Sequence, residues 1–151
     1  MSNLCYLIQL YGCAGETLLS MLQVVQNSAA RLVTRLPWYT AATTNLNQCG
    51  WLSVRQMAAL HSLLLLRQIR HDTKPAYLYN RIRKDFQYET RLASNAGIPQ
   101  HMTFRTEYAR NSFINRTTRL WNELPPEIRL CQTQIRFRTL AAAWVKANVN
   151  I

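Results

Sequence analysis

Two long stretches of helical periodicity constrain the fold of this chain most. The first contains apolar residues at alternating spacings of four and three, namely Leu18, Leu22, Val25, Ala29, Leu32 and Leu36. This spacing puts all six on one face of an amphipathic helix that begins at Glu16 or Thr17. Pro37 ends the helix, because proline cannot continue the helical hydrogen bonding.

The second stretch predicts a helix from Ser53, a plausible N-cap, to about His71. Its apolar stripe consists of Val54, Met57, Ala58, His61, Leu64, Leu65 and Ile69. The run Leu63 to Leu66 makes this helix apolar on nearly every side, so we expect it to lie at the centre of the fold.

The segments on the C-terminal side of these two helices are shorter. Lys74 and Pro75 predict the end of the central helix, followed by a short helix from Pro75 to Arg83. Leu78 and Ile82 are its expected buried pair. From 84 to 112 the periodicity disappears, which predicts a long irregular arm.

Two further elements complete the chain. Phe113 to Leu124 predicts a helix or strand that carries Leu120 and Trp121 and ends at Pro125-Pro126. A last helix from about Thr133 to Val145 follows. The fold class is therefore mostly α, with residues 1–151 in a single helical domain and 1–15 as the stump of a preceding region.

The charge of the chain is strongly positive. It has 18 basic and 7 acidic residues, a net charge of +11, and most of its bases are arginine. Such a field attracts polyanions, and arginine suits phosphates and stacks on bases. By composition alone, nucleic-acid binding and an ordinary solvated basic surface are equally good interpretations.

Basic and aromatic residues are interleaved between Arg67 and Arg119, a mixture that suits RNA. The tightest basic cluster, Arg81, Arg83 and Lys84, is the first candidate for phosphate contact, and Arg67 and Arg70 also belong to the set. Each aromatic ring in this region could equally be a core residue, and Trp121 is predicted to be one. Arg119 could also pair with Glu123, four residues on.

Three stretches of the sequence resemble stretches of one protein family, and they occur in the same order along the chain. The first is Leu-Gln-Val-Val-Gln-Asn-Ser-Ala-Ala-Arg-Leu-Val-Thr-Arg (22–35), and the second runs from Cys49 to Leu66 and opens with Cys-Gly-Trp-Leu-Ser-Val-Arg-Gln. The third is Phe-Ile-Asn-Arg-Thr-Thr-Arg-Leu-Trp-Asn-Glu-Leu-Pro-Pro-Glu-Ile-Arg (113–129). Together they resemble the region C-terminal to the palm in reverse transcriptases of LINE-type (non-LTR) retrotransposons. The resemblance implies a thumb-like region that follows the template-primer duplex, which makes Arg31 and Arg35 second candidates for nucleic-acid contact.

The sequence lacks the residues that catalysis requires. Polymerases hold two metal ions with converging carboxylates, whereas the only aspartates here, Asp72 and Asp85, are thirteen residues apart and the Tyr-x-Asp-Asp signature is absent. The three histidines and four cysteines show no metal-ligand spacing, and His61 is expected to be a core histidine. We therefore predict no catalytic residue, no metal site, no cofactor and no enzymatic activity.

No secretory signal or membrane span is recognisable, so the chain is expected to be intracellular, cytoplasmic or nuclear. The favoured interpretation is a non-catalytic nucleic-acid-binding remnant of an RNA-directed DNA polymerase, with RNA or an RNA/DNA hybrid as partner. One alternative is a protein-interaction piece whose exposed apolar surface, chiefly Leu4 to Val25, docks on a polymerase palm. Another is a decayed copy without function.

Overall fold

The computed structural model describes residues 7–87 and 106–149, with backbone only for 81, 83–87, 107 and 108. These ranges contain helices and no strand. The helices are α1 (Ile8–Tyr11), α2 (Glu16–Thr34), α3 (Ala42–Gln48), α4 (Val54–Asp72), α5 (Ala76–Gln87), α6 (Glu107–Arg110), α7 (Phe113–Glu123), α8 (Pro126–Arg129) and α9 (Gln134–Asn148). The predicted mostly α fold class is confirmed.

Helix α4 begins at a capping box. The Ser53 hydroxyl accepts a hydrogen bond from the Gln56 backbone N–H (3.2 Å), and the Gln56 side-chain oxygen accepts one from the Ser53 N–H (3.0 Å). Two N–H groups that would lack a partner at the helix start are thereby satisfied. The prediction of Ser53 as N-cap is confirmed, and the helix ends where Thr73 adopts a left-handed conformation (φ 55°).

Helix α4 is the centre of the larger hydrophobic core, as predicted. Ten of its nineteen residues are buried, and α5, α7, α8 and α9 pack on it. The fully buried Phe137 of α9 and the 4% exposed Trp121 of α7 lie in this core. The prediction that Trp121 fills the core is confirmed.

A second, smaller core lies at the first turns of α4. It consists of Ile8, Leu19, Val54, Met57 and Ala58, from α1, α2 and α4. The close approach of α1 depends on Gly12, because a Cβ there would lie 2.7 Å from the Ala58 Cβ and 2.5 Å from the carbonyl oxygen of Ile8. Only glycine fits at this position.

Helix α2 does not bury its apolar stripe, although such a stripe normally faces a core. Leu18, Val25 and Leu32 of the stripe are 58%, 59% and 80% exposed. The buried residues of α2 are instead Leu19, Gln26 and Ala30.

The buried face of α2 is polar because it supplies hydrogen bonds to the start of α4. The Gln26 amide donates to the Leu52 carbonyl (2.7 Å), and the Gln23 side-chain oxygen accepts from the Val54 N–H (2.9 Å). Aliphatic side chains would leave these backbone groups unsatisfied. An ion pair between Glu16 and Arg55 joins the same two helices.

Several boundaries differ from the predicted ones. Helix α5 continues to Gln87, beyond the predicted end at Arg83, so the predicted arm at 84–112 begins later than expected. The four-residue helix α6 also lies within that arm, whose residues 88–105 are outside the described part. The predicted pair of α5 is half right: Ile82 is buried, whereas Leu78 is only partly buried.

The C-terminal elements agree with the sequence in outline. Residues 113–123 form a helix and not a strand, Pro125 and Pro126 follow its end, and Thr133 is the N-cap of α9. Arg119 is exposed and forms no ion pair with Glu123 within 4 Å.

Candidate nucleic-acid interface

Arg67, at the fourth turn of α4, ties that helix to the start of α9. Its Nε donates to the Gln134 side-chain oxygen (2.9 Å), and its Nη2 donates to the Gln132 carbonyl (2.8 Å). Its guanidinium carbon lies 4.7 Å from the centre of the Phe137 ring. Arginine is well suited to such a site because its planar group can stack on a ring while its edge donates hydrogen bonds.

Arg70 lies three residues later on the same face of α4 and stacks on a second ring. Its guanidinium carbon is 5.1 Å from the centre of the Trp121 ring, and Trp121 in turn lies 5.8 Å from Phe137, centre to centre. Much of the Arg70 side chain is exposed. Its ring-packed guanidinium is nevertheless partly desolvated, and this burial lowers its pKa, as does the nearby charge of Arg129.

Arg129 completes the cluster from the last residue of α8. Its Nε and Nη1 are enclosed and have no hydrogen-bond acceptor among the described residues. An enclosed donor without an acceptor costs about 1–3 kcal/mol, and more when it is charged. This guanidinium therefore has an unmet requirement for an acceptor, which the two oxygens of a phosphate or carboxylate would satisfy.

Described acidic side chains form no ion pair with Arg67 or Arg129. Between described residues, the ion pairs within 4 Å are Arg55 with Glu16 and His71 with Asp72. Arg67 and Arg129 take part in neither. We name Arg67, Arg70 and Arg129, with the rings of Phe137 and Trp121 beneath them, the arginine cluster.

The structure separates the predicted contact residues into groups. Arg67 and Arg70 lie together, whereas Arg31 and Arg35 are exposed at the far end of α2. Helix α2 contacts the first turn of α4, and Arg67 lies thirteen residues further along, about 20 Å at the helical rise per residue.

The first sequence candidates, Arg81, Arg83 and Lys84, have a described backbone in α5, which packs on α4. Their side chains lie outside the described part of the chain. Their predicted role in phosphate contact therefore stays a prediction.

Arg129 was not a sequence candidate. Its only sequence signal was its place at the end of the Pro-Pro-Glu-Ile-Arg run, which indicated a chain turn and not a neighbour of Arg70. The spacing of Arg67 and Arg70 does indicate that they lie side by side, because residues three apart share a helix face.

Arg116, another base of this region, is enclosed elsewhere in the fold. It lies beside the turn at Gly12 and Cys13, and burial lowers its pKa. Burial also raises the pKa of the Cys13 thiol, which the charge of Arg116 partly opposes. Arg116 therefore helps to hold α7 against the α1 turn.

Among the described residues, no group of three or more His, Cys, Asp or Glu side chains could hold a metal ion. Asp72 pairs with His71 (2.8 Å), and the side chain of Asp85 is outside the described part. The thiols of Cys13, Cys49 and Cys131 are free and half-buried, whereas Cys5 is not among the described residues.

Protein-family models, curated proteins and solved structures were compared with this chain, and none of them matches. None of the described helices has the length and apolarity that a membrane crossing requires.

Proposed function

We propose that this chain is a non-catalytic nucleic-acid-binding piece of a LINE-type reverse transcriptase, acting inside the cell on RNA or an RNA/DNA hybrid. The observation that carries this proposal is the arginine cluster, above all the acceptor-free donors of Arg129 beside Arg70. Phosphate oxygens match both the charge and the hydrogen-bonding requirement of this cluster.

The surroundings of the cluster support single-stranded or structured RNA as the ligand. Both rings of the cluster are in the core and covered by arginines, so bases cannot stack on them directly. We therefore expect RNA to contact this cluster through the guanidinium groups, which can bind phosphate and stack on bases. Binding is expected to be salt-sensitive and to show little sequence preference.

The resemblance also implies a protein partner, the palm of a polymerase of the same family. The exposed apolar face of α2 supports docking on some protein surface, because large exposed apolar patches mark interaction sites. Polymerase activity is not expected from the chain by itself. Incorporation of nucleotides by the purified protein would contradict this part of the proposal.

Fluorescence anisotropy with a labelled single-stranded RNA tests the proposal. We expect the affinity to fall steeply between about 50 and about 200 mM salt, since released counterions drive such binding. In the variant with Arg70→Gln and Arg129→Gln, the slope of log K against log salt should shrink by about 0.7 for each lost phosphate contact.

The matched control removes the same charge elsewhere. Arg136→Gln with Arg138→Gln changes two exposed arginines of α9 and should weaken binding far less. Circular dichroism shows whether each variant is folded. Equal losses of RNA affinity in the two variants would show that only the net charge determines binding. An absence of RNA binding at low salt would refute the proposal itself.

A further inference from the structure

The apolar stripe of α2 has the repeat of a coiled-coil seam. Spacings of four, three, four and three separate the five stripe residues within α2, and Leu36 lies beyond its end at Thr34. This is the pattern that packs against a partner helix. Leu18, Val25 and Leu32 are more than half exposed, as are Met21, Val24 and Val33 of the same helix. Leu22 packs against the smaller core, whereas the rest of this seam is largely uncovered by the described helices.

A groove runs along the N-terminal half of this seam. It has a volume of about 410 Å³, and it is lined by Tyr11, Ala14, Leu18, Met21, Leu22 and Val25. At the other end of α2, Trp38 and Tyr39 are 84% and 74% exposed. One end of the seam therefore offers an apolar hollow, and the other offers large projecting side chains.

We propose that two copies of this chain form a dimer in which the α2 helices pair in antiparallel orientation about a two-fold axis at Val25. This arrangement sets Leu32 of each copy opposite Leu18 of the other. Trp38 and Tyr39 follow the end of α2 at Thr34 and are therefore not part of this helix pair. The same residues of both copies form the interface, as a two-fold axis requires.

The charges of α2 favour this orientation. A parallel pair would put the Arg31 and Arg35 side chains of both copies at the same end, about 8–10 Å apart between helix axes. In the antiparallel pair the two Arg31 residues are twelve residues apart along the axis, about 18 Å, which exceeds the screening length of about 8 Å. Arg35 then lies near Glu16 of the second copy.

Exposed apolar side chains are also present beyond both ends of α2. A specific interface buries about 800 Å² on each partner. The exposed side chains of α2 are continued by Leu7 and Leu10 near its start and by Trp38 and Tyr39 after its end. A stable dimer of this kind would have to cover such side chains as well as those of α2.

Light scattering after size-exclusion chromatography tests the proposal with the full chain. We expect a mass twice the 17.6 kDa of one chain. Val25→Glu puts two like charges together at the axis and should weaken association at least about 100-fold. Ile135→Glu is the matched control, because Ile135 is 77% exposed on α9, and this variant should remain dimeric.

Cysteine cross-linking tests the orientation. An equimolar mixture of Leu18→Cys and Leu32→Cys chains should form the mixed disulfide on mild oxidation. Leu18→Cys by itself should not link to its copy, because fourteen residues, about 21 Å, separate the two positions in the antiparallel pair. Mass spectrometry identifies the linked peptides, and the unaltered chain gives the background from the native thiols.

Three results would overturn the proposal. They are a monomer at every concentration, a self-linked Leu18→Cys dimer as the main product, and a monomer that uses α2 to bind an added polymerase palm. The Val25→Glu variant keeps the arginine cluster intact. RNA binding by this variant therefore reports on the proposed function independently of dimer formation.

Discussion

Helices α2 and α4 have the same length, nineteen residues, and opposite relations to the core. Helix α4 buries ten residues and is surrounded by other helices, whereas α2 buries three and turns its most apolar face to solvent. Both sequences have a clear helical period. A strong apolar stripe therefore fixes the helix but not which neighbour covers it.

The two helices also differ in what holds them. Helix α4 is held mainly by apolar contacts in the two cores. Helix α2 reaches only the smaller core, through Leu19 and Leu22, and its Gln23 and Gln26 side chains also hydrogen-bond to the backbone at the start of α4. Apolar contacts stabilise the fold in proportion to the buried area, whereas a buried amide stabilises it only when its hydrogen-bond partner is in place. Substitutions should therefore affect the two helices in different ways.

The largest expected difference comes from removing a leucine from each helix. Leu63→Ala in α4 deletes a fully buried side chain and should lower the free energy of unfolding by about 2–5 kcal/mol. Leu18→Ala in α2 should change it by less than about 0.5 kcal/mol. Urea unfolding at concentrations where the chain is monomeric measures both, and equal losses would mean that the α2 stripe is covered in the monomer.

A smaller effect is expected from replacing the buried amide of α2. Gln26→Leu keeps a side chain of similar size but leaves the Leu52 carbonyl without its donor, so the free energy of unfolding should fall by about 1–3 kcal/mol. Gln68→Leu, on an exposed position of α4, is the control and should have little effect. Stabilisation by Gln26→Leu would show that this face tolerates an ordinary apolar core.

The smallest expected effect is a loss of folding stability in acid. Helix α4 contains His61, which can take up a proton, whereas α2 contains no histidine. Burial, and then the charge of Arg138, lowers the pKa of His61. The unfolded chain therefore takes up a proton at this position more readily than the folded chain, and stability falls as pH drops below about 6.5.

The measurement for His61 is the urea midpoint at several pH values from neutral to about 5. His61→Gln should reduce the fall of the urea midpoint with decreasing pH, because the titrating group is gone. His71→Gln, at an exposed position of the same helix, is the control and should leave the part of this fall that is due to His61 intact. An unchanged pH profile in His61→Gln would show that the decline has another origin.

Local signals in the sequence were reliable where neighbours in the chain decide the structure. Ser53 as a cap and the end of α7 before Pro125 depend on backbone hydrogen bonding within a few residues, and both are confirmed. The predicted extension of the first long helix through Leu36 to Pro37 was wrong, because α2 ends at Thr34 and Arg35 adopts a left-handed conformation (φ 54°). The burial of Trp121 was also predictable, because it lies on an apolar helix face with Leu120 and Leu124 around it.

Only part of the candidate site could be predicted from the sequence. The spacing of Arg67 and Arg70 placed them on one face of α4, but not over the Phe137 and Trp121 rings. Those rings come from helices that follow 40 or more residues later in the chain. Arg129 entered the site through the turn after α7, and no local pattern marks where such a turn brings a side chain.

The sequence by itself determined that the chain is helical, where most helices begin or end, and that its charge attracts polyanions. These properties follow from backbone hydrogen bonding, side-chain period and the sum of charges, which are local or additive. The tertiary structure alone decided that α2 buries glutamines and exposes its leucines, and that Arg129 lies beside Arg70. Both depend on which distant backbone and side-chain groups need a partner once the helices have packed.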